Sequence, residues 1–430
     1  MNINKWTLGL AALGLVSLVP AARADDAKPV PLNTALSATT ISGYVDTSAV
    51  WNPGSGNANP APYAFNAGKQ DGFNLDSVDL RLQKALEEGQ WSAGYVAELM
   101  LGPDAGGITG SGTSTAAIRQ AYVEFRVPIG NGLDFELGRW DNLIGYESSD
   151  SYKNPNFTRS YGYTFEPTEH TGLLATYKFS DMITAQVGVA DTVTTLGLNT
   201  RSTGSFSPNG SPEGKKALVS LLSFTAPDSW GFVKGSSFYA GLDWGQGPST
   251  YALPTGVTLP ANPYVKVNDD GRVHIYLGGT LNTPVKDLTV GGAWDYITHE
   301  DVGGTVTIGG TPVTTVGGFD SGHAYALAGY MSYKVTDKLT LNGRAEYAEG
   351  NVLGLMTPGI GDPAFHEVFA LTGTVQYDLW ANVISRLEVR WDHACDGGTP
   401  FGGTTASSFL VNNGNKKNEV LVAANVVYKF

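Results

Sequence analysis

Hydrophobic and polar residues alternate with a period of two along most of this chain, in runs of about ten residues. The run Leu133-Asp134-Phe135-Glu136-Leu137-Gly138 ends near Trp140, and Thr171-Gly172-Leu173-Leu174-Ala175-Thr176-Tyr177-Lys178-Phe179 leads into Ser180-Asp181. Such alternation sends successive side chains to opposite faces of a strand. In 385–392, Leu387, Val389 and Trp391 oppose Arg386, Glu388, Arg390 and Asp392. In 339–347, apolar or small residues oppose Asn342, Arg344 and Glu346, and Leu80 and Leu82 oppose Asp79, Arg81 and Gln83. The last run sets Val420, Val422, Ala424, Val426, Tyr428 and Phe430 on one face. Glu419, Asn425 and Lys429 fall on the other, with Leu421, Ala423 and Val427.

The links between runs alternate too. Strands predicted at 40–51, 73–84, 90–100, 116–127 and from 133 are joined by a long link, a short one, a long one and the tight turn Pro128-Ile129-Gly130-Asn131-Gly132. Further long links fall at 141–169, 191–214, 245–270, 299–321, 349–366 and 395–416. Shorter ones fall near Ser180 and at 227–234, 283–287, 335–338 and 379–382. The count is about sixteen strands, and an even number leaves both ends on the side of the short turns. Short periplasmic turns and long external loops mark outer-membrane barrels. The expected fold is all-β, a transmembrane antiparallel up-and-down barrel over 40–430. A soluble sandwich would alternate as well, but Tyr177, Phe179, Tyr333, Tyr377, Trp380, Tyr428 and Phe430 sit at the turn ends of strands. An interfacial aromatic girdle has that placement.

The first residues are set apart. Lys5, an apolar stretch at 7–19 and Ala22-Arg23-Ala24 have the three parts of a secretory signal peptide. The expected division is a leader at 1–24, a periplasmic segment at 25–39 and then the barrel. Composition agrees: 55 Gly, 20 Tyr, 16% charged residues and a mean hydropathy of −0.10. After the leader no run approaches the 18 or so apolar residues that a membrane helix needs. The net charge of −13 becomes −15 when Lys5 and Arg23 leave, with 25 basic residues against 40 acidic ones. No basic patch stands out, so nucleic acid is not expected as a partner. The single Cys395 can form no intrachain disulfide and has no zinc spacing around it.

The end of the chain, Tyr428-Lys429-Phe430 after alternating apolar residues, resembles the C-terminal signature of outer-membrane barrels. That resemblance implies recognition by the barrel-assembly machinery. The central stretch resembles the OmpL-like β-barrel porins. The residues that carry it are Gly138-Arg139-Trp140-Asp141-Asn142-Leu143-Ile144-Gly145-Tyr146-Glu147, then Asn154-Pro155-Asn156-Phe157-Thr158-Arg159-Ser160-Tyr161 and Thr168-Glu169-His170-Thr171-Gly172. The similarity is strongest over 76–191. It implies a passive outer-membrane pore with unsettled substrates; no cofactor is expected, and the expected partners are outer-membrane lipid and lipopolysaccharide and ions or small hydrophilic solutes. Trimers are common among sixteen-stranded porins, so a homotrimer is compatible with the resemblance.

A barrel of this size encloses water, and its inner face sets size and charge preference. A basic group turned to lipid at mid-membrane would cost about 2–4 kcal/mol, so the polar faces look inward. Channel-lining candidates are Asp79, Arg81, Glu98, Glu124, Arg126, Asp134, Glu136, Arg344, Glu346, Arg386, Glu388 and Arg390. The alternative is that they form ion-pair ladders which only stiffen the wall. The long link 141–169, third on the external side, supplies Asp141, Glu147, Asp150, Lys153, Arg159, Glu166, Glu169 and His170. In general porins the loop at that position bends into the lumen and constricts it. An acidic cluster there, facing a basic wall, would set a transverse field. The bland reading is a solvated loop packed on the rim.

Enzymatic chemistry finds little support. The six histidines are scattered, mostly near expected external strand ends or loops, and no G-x-S-x-G elbow accompanies them. Asn268-Asp269-Asp270-Gly271 lacks the downstream Glu of a calcium loop. No metal site and no catalytic residues are expected. The function expected is a water-filled diffusion channel, with a cation preference following from the acidic excess. The alternative is a surface-binding barrel, an adhesin or receptor, acting through its external loops.

Overall fold

The computed structural model describes residues 38–430 apart from 55, 62–68, 89–90, 110–113, 195–197, 200–201, 204, 207–213, 248–263, 268–270, 301, 309–310, 320, 351–366 and 405–413. The leader, most of the 25–39 segment, His366 and Asn268-Asp269-Asp270 lie outside the described residues.

Sixteen antiparallel strands follow one another around a closed barrel. They are β1 Thr40–Trp51, β2 Gly72–Lys84, β3 Ser92–Leu101, β4 Ala116–Val127, β5 Leu133–Asp141, β6 Glu169–Lys178, β7 Ile183–Ala190 and β8 Ala217–Thr225. The circle continues with β9 Ser237–Gln246, β10 Gly271–Asn282, β11 Leu288–His299, β12 Gly322–Lys334, β13 Leu339–Gly350, β14 Glu367–Trp380, β15 Val383–Ala394 and β16 Asn418–Lys429. Closure leaves no unpaired edge, the condition for a sheet to stand in hydrocarbon. β16 pairs with β1 from Tyr44↔Lys429 onward. Phe430 completes the seam, because its N–H donates to the Gly43 carbonyl at 3.0 Å and its own carbonyl accepts from the Gly43 N–H at 3.0 Å. A Cβ at Gly43 would stand 2.1 Å from the Asp79 carbonyl oxygen, so the seam takes no side chain there.

The period-two pattern sorts the faces as expected. In β16, Glu419, Leu421, Ala423, Asn425 and Val427 are buried while Val420, Val426 and Tyr428 are exposed. Leu327, Met331, Leu341, Leu371, Val375, Leu387 and Val389 make an apolar outer belt. Phe179, Tyr333, Tyr377, Trp380, Tyr428 and Phe430 are exposed at its lower margin. An upper aromatic row joins them, with Trp294 stacked on Tyr296 at 5.9 Å and Phe369 edge-on to Trp391 at 6.2 Å.

Two features depart from the expected strand rhythm. Parts of three long links, Ser205–Phe206, Tyr264–Val267, Val302–Ile308 and Thr311–Phe319, pair into a separate four-stranded sheet. The last two are rich in Val and Thr, the composition of a strand, inside segments read only as loop. In addition, a short helix α1, Pro103–Ile108, follows β3, with Ala105 and Ile108 buried. A second, α2, Tyr161–Phe165, lies inside the long link between β5 and β6. The Ser160 side chain caps α2 by accepting from the Tyr163 N–H at 3.2 Å.

Candidate functional site

The link between β5 and β6 folds inside the barrel and touches its wall on nearly every side. Ile144 packs where Gly241 of β9 leaves room, and a Cβ there would lie 2.3 Å from it. Tyr146 stacks on Tyr330 of β12 at 4.0 Å and shares a 3.2 Å hydrogen bond with Thr280 of β10. Tyr152 meets the Tyr44 ring of β1 at 5.3 Å, and Lys429 of β16 lies over it.

An irregular segment buried in a barrel must find partners for its backbone polar groups. Here the inner faces of β13 to β15 supply them. Arg344 donates to the Thr158 carbonyl at 2.7 Å and the Arg159 carbonyl at 3.3 Å. Arg386 donates to the carbonyls of Ser151, Asn154 and Asn156 at 3.0–3.1 Å. Arg390 donates to the Arg159 carbonyl and packs over the Tyr161 ring. The glutamates take the N–H groups: Glu388 accepts from Phe157 at 2.6 Å and Thr158 at 2.9 Å, and Glu346 from Tyr161 at 2.6 Å. Arg344 also pairs with Glu147 at 2.7 Å and Glu346 at 2.9 Å. Arg344, Glu346, Arg386, Glu388 and Arg390 therefore face inward and are sealed beneath the loop, each no more than 3% exposed.

The opposite wall anchors the loop differently. A register shift between Glu98 and Leu99 in the β3–β4 pair turns both Arg119 and Gln120 inward. A β-bulge commonly re-aims a side chain in this way. Arg119 donates to Glu98, to Asp150 at 2.5 Å and to Asp141 at 2.6 Å. Burial raises the Asp150 pKa, but Arg119 and Lys153 outweigh it and hold that carboxyl below the usual carboxylate range. Arg139 ties the ends of two links together, donating to Glu169 at 3.1 Å and to the Thr109 carbonyl at 2.8 Å. Arg159 turns back on its own loop, to the carbonyls of Phe157 at 3.1 Å and Ser149 at 3.2 Å. Asp79, Glu98 and Asp150 each bring one oxygen within 4.8 Å of the others. Arg119 pairs with Glu98 and Asp150, and Arg81 with Glu98, so the cluster anchors the loop through ion pairs rather than forming a cation site.

The periplasmic half of the lumen is different again. On β2, β4 and β5, Arg81, Tyr122, Glu124, Arg126, Asp134 and Glu136 point inward and stay partly exposed. Arg126 and Asp134 form a two-pronged pair, both contacts at 2.6 Å. Arg81 reaches Glu98 at 2.8 Å. Glu124 and Glu136 stand directly opposite each other across β4 and β5 with no ion pair among the described residues. Like charges in that position repel, so their pairing is not a device for strength. Above them Asp141 and Lys153 keep 36% and 52% of their side chains exposed, carrying the accessible charged surface past the loop.

Arg119 and Arg139 were not among the sequence candidates. Strict alternation hides Arg119 behind Gln120, and only knowledge of the bulge brings it inward. Two histidines lie near external strand ends, as expected, and are buried on the inner wall: His170 opens β6 and His274 lies near the start of β10.

The sequence model of the family described as "Putative beta-barrel porin-2, OmpL-like" matches residues 38–430. The chain belongs to that family. It is an outer-membrane porin, as the central motif suggested. No curated protein matches it in sequence. Solved structures share its fold at low identity. The outer membrane channel DcaP of Acinetobacter baumannii is 14% identical with a TM-score of 0.53, covering 91% of this chain and 97% of that one. The anion-selective porin of Comamonas acidovorans is 14% identical with a TM-score of 0.52, covering 91% and 99%. OmpT of Vibrio cholerae is 12% identical with a TM-score of 0.52, covering 91% and 98%.

Proposed function

We propose that this porin passes small hydrophilic solutes along the β2–β6 side of its lumen and favours cations. The observation that supports it is the contrast between the two walls. The arginines of β13 to β15 are spent on loop carbonyls and glutamates, whereas Glu124 and Glu136 stay partly exposed with no ion pair among the described residues. Asp141 extends the acidic surface upward, with Lys153 opposing it. The link 141–169 acts as the constriction, and transport involves no covalent step. Within this reading 1–24 is a cleaved leader, 25–39 a periplasmic segment, and Tyr428 and Phe430 the signal read by the barrel-assembly machinery. Lipid and lipopolysaccharide cover the outer belt. A homotrimer is proposed too, since OmpT of Vibrio cholerae, whose fold is shared, has a structure described as a trimer form.

The test is the reversal potential in planar bilayers under a potassium chloride gradient. A carboxylate about 6 Å from a passing ion contributes about 0.7 kcal/mol in water, roughly threefold in local cation concentration. Glu124→Gln with Glu136→Gln is expected to lower the cation-to-anion permeability ratio severalfold. An unchanged ratio would move selectivity elsewhere in the pore.

A further inference from the structure

The acidic residues of the inward loop are not equivalent. Asp141 and Asp150 meet Arg119, Glu147 meets Arg344, and Glu169 at the start of β6 meets Arg139. Among the described residues no ion pair joins Glu166, although it is 6% exposed. Its carboxyl neighbours another, that of Asp295 on β11, the strand against which α2 packs. Two carboxylates cannot share a hydrogen bond unless one of them holds a proton. Burial, then Asp295, then Glu147 push Glu166 well above the ordinary glutamate range, with Asp243 adding to them. Every element packed around it has been built to this contact. From β10, His274 donates or accepts at 3.0 Å with Asp295, and Tyr276 stands beside it. Asp243 of β9 lies directly across from His274 and 3.6 Å from His170 of β6. Glu147 is held by Arg344 of β13 and by the Tyr330 hydroxyl of β12 at 3.3 Å.

The fit is steric as well as electrostatic. Gly145, near the start of the loop, has φ +116°, and a Cβ on it would lie 2.1 Å from a Glu166 carboxyl oxygen. A Cβ on Gly162 of α2 would lie 2.6 Å from an Asp295 carboxyl oxygen. Glu166 thus fastens the beginning of the loop, its helix and β11 at one point.

We propose that the Glu166–Asp295 contact is a proton-linked latch, holding α2 against β11 while Glu166 keeps its proton and releasing it when that proton passes to solvent. Ionised, Glu166 would face Asp295, Asp243 and Glu147 at close range in a buried place. The docked form binds one proton more than the released form, so docking weakens as pH rises. For one proton the docked-to-released ratio falls up to tenfold per pH unit between the released and docked pKa values. The released segment widens the lumen beside β11, so alkaline conditions favour the more conductive form. Only this last effect rests on the channel reading.

Three measurements on the mature protein in detergent and in bilayers test the latch, with Glu166→Gln as the variant, since glutamine keeps a hydrogen bond to Asp295 and cannot ionise. The infrared stretch of a protonated carboxyl is expected near neutral pH, lost on raising pH and missing in E166Q. Hydrogen exchange of 161–168, corrected for its intrinsic pH dependence, should accelerate over the same range in the natural protein alone. Single-channel conductance should rise with it. Absence of a Glu166-dependent carboxyl band, or equal exchange profiles in the two proteins, would overturn the latch. If the band and exchange titrate but no current flows at any pH in either protein, the latch stands and the channel reading fails. If both titrate while the two proteins conduct alike, the latch exists but does not gate, and its proposed effect on the lumen is overturned.

Discussion

Arg344 shows how one side chain decides what the loop does. Its guanidinium serves Glu147, Glu346 and two loop carbonyls from a fully buried position. A planar fork suits that task, and the point charge of lysine does not. Arg344→Ala would leave Glu147 buried without its cationic partner and Glu346 with Arg390 alone, a change that typically costs about 3–5 kcal/mol. The expected outcome is a lower unfolding temperature in detergent together with noisier current from a loosened loop, and Arg344→Lys should fall between. A silent substitution would mean that the loop holds its place by packing alone. On the opposite wall Asp150 works in the other direction from Glu166. Its pKa is depressed in the docked loop, so its contribution is present above the ordinary aspartate value of about 3.9 and is lost as pH falls through the depressed value. The loop therefore has one anchor that fails in strong acid and one that fails in alkali.

At the scale of elements, the strands were legible because alternation needs no tertiary context. β1, β4, β10, β12 and β15 coincide with the spans that the runs and links predict, and the others shift by a residue or two at the ends. What alternation could not show was where it breaks. The bulge in the β3–β4 pair makes Arg119, rather than any predicted candidate, the centre of the Glu98–Asp141–Asp150 anchor. Nor could it show that the basic and acidic residues of β13 to β15 spend their charge on a loop some two hundred residues earlier in the chain, separations of 185–235 positions. That pairing is a property of the closed barrel. Gly145 is a similar case: its positive φ and the Glu166 carboxyl beside it make it a fixed point that the sequence does not mark. Gly145→Ala is expected to cost about 1–3 kcal/mol in backbone strain, before its clash with Glu166 is counted. Faster hydrogen exchange at 142–168 with unchanged exchange in β1 to β5 would locate the damage in the loop. Slow exchange throughout would show that the backbone adapts.

For the whole molecule, sixteen strands give a wall that could enclose a broad channel, and the inward loop fills much of it. Passage then depends less on barrel diameter than on which wall the loop leaves uncovered. Glu124, Glu136 and Thr176 on β4 to β6 are partly exposed and Thr372 and Thr374 on β14 are buried, although both sets are polar and both face inward. Thr176 on β6 is partly exposed, whereas Thr374 on β14 is 3% exposed and bonded to Asn156 and Glu388. This asymmetry is the central claim, and one measurement reaches it directly. With Cys395 replaced by serine, a membrane-impermeant thiol-reactive cation is added during single-channel recording of Thr176→Cys and of Thr374→Cys at neutral pH. Current is expected to fall in discrete steps for the β6 cysteine and to stay level for the β14 cysteine. Block at the β14 position with none at β6, or bilayers that take up protein without carrying current, would contradict it.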